Sequence, residues 1–429
     1  MATSPRAFLE RLYDTAVAAA HPSQCLPAHL PAPPASGRTI ILAAGKAAGS
    51  MAEVAERYYL EDCKLPPSRI TGVAVTRHGY ARPTRIIRVV EAGHPVPDAT
   101  GLAATLDTLA LADTAGSSDL VLALISGGAS ANWIAPAADL SLVEKQALTK
   151  SLLACGASIT EINTVRKHLS RIKGGRLAER AQPARLITIA ISDVPGDDPA
   201  VIGSGPTVPD PSTLADARAI LARHGLAVPT AITRALADPE NESPKPGDPL
   251  FANTSFVLAA RPADVFNSVD AAARSAGYDC VLLGTALEGE ARTVAAEHAR
   301  IALDLKAQGR RAVILSGGEL TVTVRGNGRG GPNQEYALAL ALALEGETGI
   351  AGLAGDTDGT DGGVGSPDDP AGAYVDNTTL QRAHERGLDA ATYLCDNNST
   401  EFFASLDNLL RPGPTCTNVN DFRAILVET

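Results

Sequence analysis

DLVLALISGGAS, residues 119–130, is the stretch that decides the fold of this 429-residue chain. Leu120 to Ile125 are apolar without alternation, as a strand buried on both faces of a parallel sheet requires, and the run stops at Ser126-Gly127-Gly128. The same pattern recurs on either side. Arg38–Ala43 runs into Gly45-Lys46-Ala47, and Arg185–Ile191 runs into Ser192-Asp193-Val194-Pro195-Gly196-Asp197-Asp198. Further strand-like runs at 70–76 and 85–90 alternate with helical patterns at 99–113 and across 142–180. Apolar strands alternating with helices predict a Rossmann-like parallel sheet covered on both faces, an α/β fold.

The pattern resumes after a polar, Pro-rich stretch, DPENESPKPGDPL at 238–250, which reads as a linker. Two domains are therefore expected, 1–237 and a smaller α/β domain over 251–429. Beyond the linker, strands are expected near 256–260, 280–283, 312–315, 321–325 and 350–354, with a long helix over 290–307. Residues 1–20 read as an amphipathic helix, not a signal peptide. The longest apolar stretch, 336–344, is far short of a membrane span.

A net charge of −11 argues against nucleic acid as a partner, and against membranes there is no candidate span. An anionic substrate would have to be met by local cations or backbone N–H groups. The six cysteines are scattered with no CxxC pair, so neither a zinc site nor a disulfide framework is expected. The cytoplasm is the expected location, and a homodimer is compatible with the sequence. No G-x-S-x-G elbow occurs, and the histidines, His94 and His168 among them, show no metal-ligand spacing.

Ligands of parallel α/β sheets bind beyond the carboxyl ends of the strands. Four places in the first half meet that rule. Gly45-Lys46 sets a lysine at a helix N-terminus, a favourable anion site, although the flanking residues do not make a Walker A loop. Ser126, Gly127, Gly128 and Ser130 combine close backbone approach with hydroxyl donors. The segment 166–176 holds five cations and His168. A solvated charged face is one reading, and an anion site at Lys173-Gly174-Gly175 is the favoured one. Asp193, Asp197 and Asp198 suggest magnesium or general-base work, with turn capping as the rival.

Two places in the second half add to these. GNGRGG at 326–331 is a literal G-x-G-x-x-G with Asp356 further on, but the preceding segment alternates polar and apolar and Arg325 and Arg329 flank the glycines. That suits a phosphate terminus better than a dinucleotide. Asp356, Asp358 and Asp361 follow the run 350–354 and could bind a hard cation, with a solvated turn as the alternative.

Taken in order, Ala43-Ala44-Gly45-Lys46-Ala47, Ile125-Ser126-Gly127-Gly128, Lys173-Gly174-Gly175-Arg176-Leu177-Ala178 and Ser192-Asp193-Val194-Pro195-Gly196-Asp197 resemble the N-terminal half of the glycerate 2-kinase family. Ser316-Gly317-Gly318-Glu319, Gly330-Gly331-Pro332-Asn333-Gln334-Glu335, the stretch 356–362 and the stretch 415–421 resemble its C-terminal MOFRL-type domain. The resemblance implies ATP-dependent phosphorylation of D-glycerate at the 2-hydroxyl, with Mg2+, in a cleft between the domains. It implies Lys46 as the essential lysine. Read from the residues themselves, Asp193 and Arg325 are the further catalytic candidates, and Gly45, Ser126, Gly127, Gly128, Ser130, Lys173, Gly174, Arg329, Asn333 and Gln334 the candidates around substrate and phosphates. Asp193, Asp356 and Asp361 are the candidate metal ligands. One departure stands out: Pro332 occupies the place of an arginine in the family's Gly-Gly-Arg-Asn-Gln-Glu. The rival reading of the same glycines is an NAD(P)H-dependent hydroxypyruvate, or tartronate semialdehyde, reductase.

Overall fold

The computed structural model describes residues 4–137, 139–363 and 366–429. The chain divides into two compact units. One is Cys25–Ala259; the other is the chain up to Gln24 together with Ala260–Thr429.

The amino-terminal unit is built on a six-stranded sheet. Its strands are β1 (Thr39–Ala44), β2 (Ile70–Arg77), β3 (Arg88–Ala92), β4 (Leu120–Ile125), β5 (Arg185–Ile191) and β6 (Thr254–Ala260), in the order β3-β2-β1-β4-β5-β6. β1 to β5 run parallel, with Thr39 level with both Ile70 and Leu120. Every residue of β1 and β4 is buried, which explains the unbroken apolar runs at the centre of the sheet. The strand order reverses between β1 and β4, so their following loops lie side by side at the switch point where such sheets bind ligands. Helices Leu142–Ala154, Ile159–His168, Leu214–Arg223 and Thr230–Ala237 share a separate apolar cluster around Leu148, Val165, Ile220 and Ile232.

The carboxy-terminal unit has a mixed sheet. Its strands are β7 (Asp279–Leu287), β8 (Ala312–Gly318), β9 (Ile350–Asp356), β10 (Gly372–Asp376), β11 (Leu409–Leu410) and β12 (Asp421–Val427), in the order β11-β10-β9-β12-β8-β7. β12, the last strand in the chain, inserts antiparallel between β8 and β9. The first helix, Pro5–Ala20, belongs to this unit. It buries Leu9, Leu12, Tyr13 and Ala16, and Tyr13 Oη donates to Asp356 O at 2.8 Å.

Two expectations are corrected. Residues 238–250 are not a linker. Ser243 Oγ donates to Asp210 Oδ2 at 3.0 Å, Glu242 pairs with His168 at 3.0 Å and with Lys245 at 2.6 Å, and β6 then completes the first sheet. Polar, Pro-rich composition marked an irregular path, but the buried Asp210 carboxylate and the buried His168 ring bind that path to the unit. The strand expected at 321–325 is also absent. Beyond a single bridge from Thr321 to Glu290, these residues extend along the surface, with Val324 75% exposed, so their alternation has no sheet face to serve. Among the described residues no helix is long and apolar enough to cross a membrane.

Candidate active site

In the amino-terminal unit the loops after β1 and β4 clasp each other. Lys46 N donates to Gly127 O at 2.8 Å and Ala47 N donates to Ser126 Oγ at 2.9 Å. Gly45 has φ +118°, and a Cβ there would lie 2.3 Å from Ser126 Oγ, so only glycine permits the clasp. The helix Ala48–Arg57 starts immediately beyond, with no side chain capping its N-terminus. Lys46 itself is half-buried at this mouth.

The turn after β4 presents backbone donors. Gly128 has φ +84°, and the N–H groups of Gly127 and Gly128 meet no acceptor among the described residues. Left-handed turns of this kind aim successive N–H groups at an anion. The hydroxyls expected to help point elsewhere. Ser126 Oγ is taken up by Ala47 N, and Ser130 Oγ lies 2.7 Å from Ser204 Oγ and 3.2 Å from Lys173 Nζ.

Sequence reasoning missed two neighbours of this mouth. A Cβ on Gly128 would lie 2.9 Å from the His94 imidazole and 3.3 Å from Lys46 Cγ, so His94 and Lys46 flank the turn. Arg77 ends β2, is 5% exposed, and sits over the Tyr80 ring at 4.6 Å from its centroid. Both follow the rule that picked out Lys46, since they stand at or just past the carboxyl ends of β2 and β3. Looking for metal-ligand spacing alone hid His94. Asp193 is half-buried past the end of β5, at the same edge of the sheet.

The basic segment 166–176 is largely buried, with Arg171 its exposed cation, and its groups bond to the protein around them. Lys173 is fully buried, and its Nζ donates to Ser130 O at 2.7 Å, lies 3.2 Å from Ser130 Oγ and 3.0 Å from Trp133 O, so every near neighbour of the nitrogen belongs to the protein. Gly174 N donates to Ser204 O at 3.0 Å and Gly175 N to Gly205 O at 2.7 Å. Lys173 therefore braces the Ser126–Ser130 turn through Ser130, and the Gly174 N–H is spent on Ser204 O.

In the carboxy-terminal unit the glycine-rich loop spends its donors on the protein. Arg325 N and Gly326 N donate to Asn397 Oδ1 at 2.7 and 3.0 Å, Asn327 N to Asp396 Oδ1 at 3.0 Å, and Gly328 N to Asp396 O at 2.9 Å. Arg329 N donates to Asn398 Oδ1 at 3.1 Å. The turn 396–398 occupies the place a pyrophosphate would need, so this G-x-G-x-x-G is a structural latch. The side chains of Arg325 and Arg329 are exposed, and Arg329 lies 3.6 Å from Asp369.

Asp361 is likewise structural. It caps the helix Pro332–Leu344, whose first position is Pro332. Asp361 Oδ1 accepts from Asn333 N at 3.0 Å and Asn333 Nδ2 at 3.2 Å; Oδ2 accepts from Gln334 N at 2.9 Å and Gln334 Nε2 at 3.0 Å. Burial pushes its carboxyl up to about 7, with the nearby Asp421 carboxylate adding to the shift and the backbone donors opposing it. Asn333 also donates to Asp421 at 2.6 Å, and Asp421 pairs with the buried Arg423 at 2.8 Å. Asn333 and Gln334 thus serve this network, not a phosphate. Asp356 Oδ1 accepts from Asp358 N at 2.9 Å, and Asp358 Oδ1 accepts from Thr360 N at 2.7 Å. The carboxylates are turned into their own loop. No three His, Cys, Asp or Glu side chains gather as a metal site among the described residues. The cation ligands expected at Asp193, Asp356 and Asp361 are therefore not a preformed set.

Comparison with known proteins agrees with this architecture. Residues 8–237 match the family described as a domain of unknown function, DUF4147, and residues 312–421 match the MOFRL family. The chain is 39% identical to D-glycerate 2-kinase of Thermotoga maritima over 90% of this chain and 89% of that protein. It is 45% identical to a protein of Agrobacterium vitis provisionally named hydroxypyruvate reductase, over 99% of this chain and 95% of that one. The crystal structure of glycerate kinase from Thermotoga maritima superposes with a TM-score of 0.85 at 38% identity, covering 98% of each chain. With both domain families present in order and a likeness to that kinase that spans nearly the whole chain, the chain belongs to the glycerate 2-kinase family.

Proposed function

We propose that the protein transfers the γ-phosphoryl group of ATP to the 2-hydroxyl of D-glycerate, giving 2-phosphoglycerate and ADP. The observation that carries this reading is the convergence of Lys46 with the acceptor-free N–H groups of Gly127 and Gly128 at the switch point of the first sheet. Phosphoryl transfer asks mainly for positioning and charge neutralisation, which is what a lysine and oriented backbone dipoles supply. In this reading Lys46 neutralises charge on the transferring group and the turn holds a carboxylate or phosphate oxygen. Asp193 orients the 2-hydroxyl or accepts its proton, and His94 stands close enough to the turn to share that task. Arg325 is the cation of the carboxy-terminal unit offered to the nucleotide phosphates.

Mg2+ enters only as the companion of the nucleotide. The donor set does not fit a protein-held ion, since four N–H donors saturate Asp361, and no step is assigned through one.

The reductase reading rested on the name some relatives carry and on the G-x-G-x-x-G loop. The Agrobacterium vitis relative keeps that name, but the loop's N–H groups are committed to residues 396–398, which favours the kinase reading.

The test is direct. Protein, ATP, Mg2+ and D-glycerate are incubated, then enolase is added without a mutase. Phosphoenolpyruvate absorbance is the expected result, because 2-phosphoglycerate alone feeds enolase. No ATP consumption, together with NADH oxidation by hydroxypyruvate, overturns the proposal.

A further inference from the structure

Three cations lie beneath the Ser126–Ser130 turn with no counter-ion. Lys145 and Lys173 are 3% and 0% exposed, and Arg166 is half-buried beside them. Lys173 Nζ and Arg166 Nη2 both donate to Ser130 O, at 2.7 and 3.2 Å, and Lys145 Nζ donates to Leu169 O at 2.5 Å and Arg166 O at 3.4 Å. Among the described residues none of the three forms an ion pair. The nearby carboxylates are committed elsewhere: Asp210 to Lys167 at 3.3 Å, and Glu242 to His168 and Lys245.

Uncompensated buried charge is unfavourable, and like charges close together in a poorly polarisable interior make it worse. A fold that places three basic side chains here, two of them bonded to Ser130 O of a turn whose Gly127 and Gly128 N–H groups meet no acceptor among the described residues, leaves a place for negative charge at that turn.

We propose that Lys145, Arg166 and Lys173 are a built counter-charge for the anion that binds at the Gly127 and Gly128 N–H groups, with Lys173 the positioning residue that couples anion arrival to uptake of a proton. This rests on the reading of the turn as the cradle for a substrate carboxylate or phosphate. Two roles fall to Lys173. Its bonds to Ser130 O and Trp133 O fix the far end of the turn in place. Its charge supports whatever anion those N–H groups receive.

Proton uptake follows from the free state. Burial first, and then repulsion from Arg166 and Lys145, hold the Lys173 ammonium well below the usual lysine range. Burial, Arg166 and Arg176 do the same for Lys145. The charged groups that act on Lys173 are Lys145 from helix Leu142–Ala154 and Arg166 from helix Ile159–His168; Arg176 donates to Lys173 O at 3.4 Å, and the Asp210 carboxylate beside Gly174 is paired with Lys167. The other contacts are the Ser130 hydroxyl, the Ser170 hydroxyl and main-chain carbonyls. An arriving anion is the missing opposite charge, and it raises the affinity of this cluster for a proton.

The experiment is calorimetric titration of the full chain with D-glycerate, and separately with ADP, at about pH 8 in two buffers of different ionisation enthalpy. The glycerate carboxylate is fully ionised there and contributes no proton of its own. Wild type is expected to take up roughly 0.3–1 proton on binding one of the two ligands. K173M is expected to lose that uptake and to raise KM for the same ligand about tenfold or more, with a smaller change in kcat. K173R keeps a charge that is never shed, so it loses uptake while retaining part of the affinity. K145M does not touch the turn and is expected to lower uptake with the turn intact, which keeps the test open if K173M fails to fold. Binding without buffer dependence in wild type, or uptake unchanged in K173M or in K145M, overturns the inference alone. If neither D-glycerate nor ADP binds, the reading of the turn as a substrate cradle fails, and the inference falls with it.

Discussion

Replacing Asp361 by alanine separates two roles for the same carboxylate. As a metal ligand it would matter for catalysis; as a helix cap it matters for stability. The substitution leaves Asn333 N and Gln334 N, both buried, without their acceptors at 3.0 and 2.9 Å. A buried donor left unsatisfied costs about 1–3 kcal/mol, and the amides of Asn333 and Gln334 lose partners as well. Against this, removing a buried carboxyl relieves its desolvation and its repulsion with Asp421. The net expectation is about 3 kcal/mol, roughly a 6–12 °C drop in Tm for the transition of the carboxy-terminal unit. The assay is calorimetric melting of wild type and D361A across pH, with activity titrated against Mg2+ in parallel. The sign of the pH arm is fixed by the raised carboxyl. Its native value of about 7 lies above the ordinary one, so its contribution is full below about pH 4 and is lost as pH rises through about 7. Wild type therefore loses stability over that window more steeply than D361A. A D361A melt within about 2 °C of wild type would refute the capping argument. An unchanged melt with a tenfold higher Mg2+ requirement would restore the metal ligand.

Lys46→Ala should lower kcat/KM by two to three decades, about 3–4 kcal/mol, with the fold intact; near-wild-type turnover in steady-state kinetics would remove Lys46 from the chemistry. Glu242→Gln tests the segment 238–250. Burial raises this carboxyl, but the Lys245 ammonium, the Leu214 N–H and His168 outweigh it and hold it at about 2. Its contribution is present above about pH 4.3 and is lost as pH falls through about 2, so wild-type melting should drop more steeply over that window than that of E242Q, which keeps only the losses of the other paired carboxylates. Asn397→Ala takes the shared acceptor from Arg325 N and Gly326 N and should raise hydrogen exchange over 321–329 without creating affinity for NADH. Measurable NADH binding to the wild-type loop would refute the latch.

Much of the fold was legible because parallel strands buried on both faces must be continuously apolar. That rule found β1, β4 and β5 and put Gly45-Lys46 and Ser126–Ser130 at their carboxyl ends. It failed where partners come from far along the chain. β12 reads as a mixed segment, DFRAILV, yet all seven residues are buried, because Arg423 finds Asp421 and Ser316 inside. The first helix carries no sign in its own residues that it packs in the unit that begins at Ala260.

The sequence by itself determined the fold class, the family and the glycine turns at the carboxyl ends of the strands, since each depends on local pattern: apolar continuity, turn glycines and ordered motifs. Only the tertiary structure decided which polar groups are available to a ligand. A donor or carboxylate is available only if no distant residue has already taken it. Lys173 answers to Ser130 and Trp133, Asp361 to Asn333 and Gln334, and the loop 325–329 to residues 396–398, whereas the N–H groups of Gly127 and Gly128 answer to nothing in the described chain.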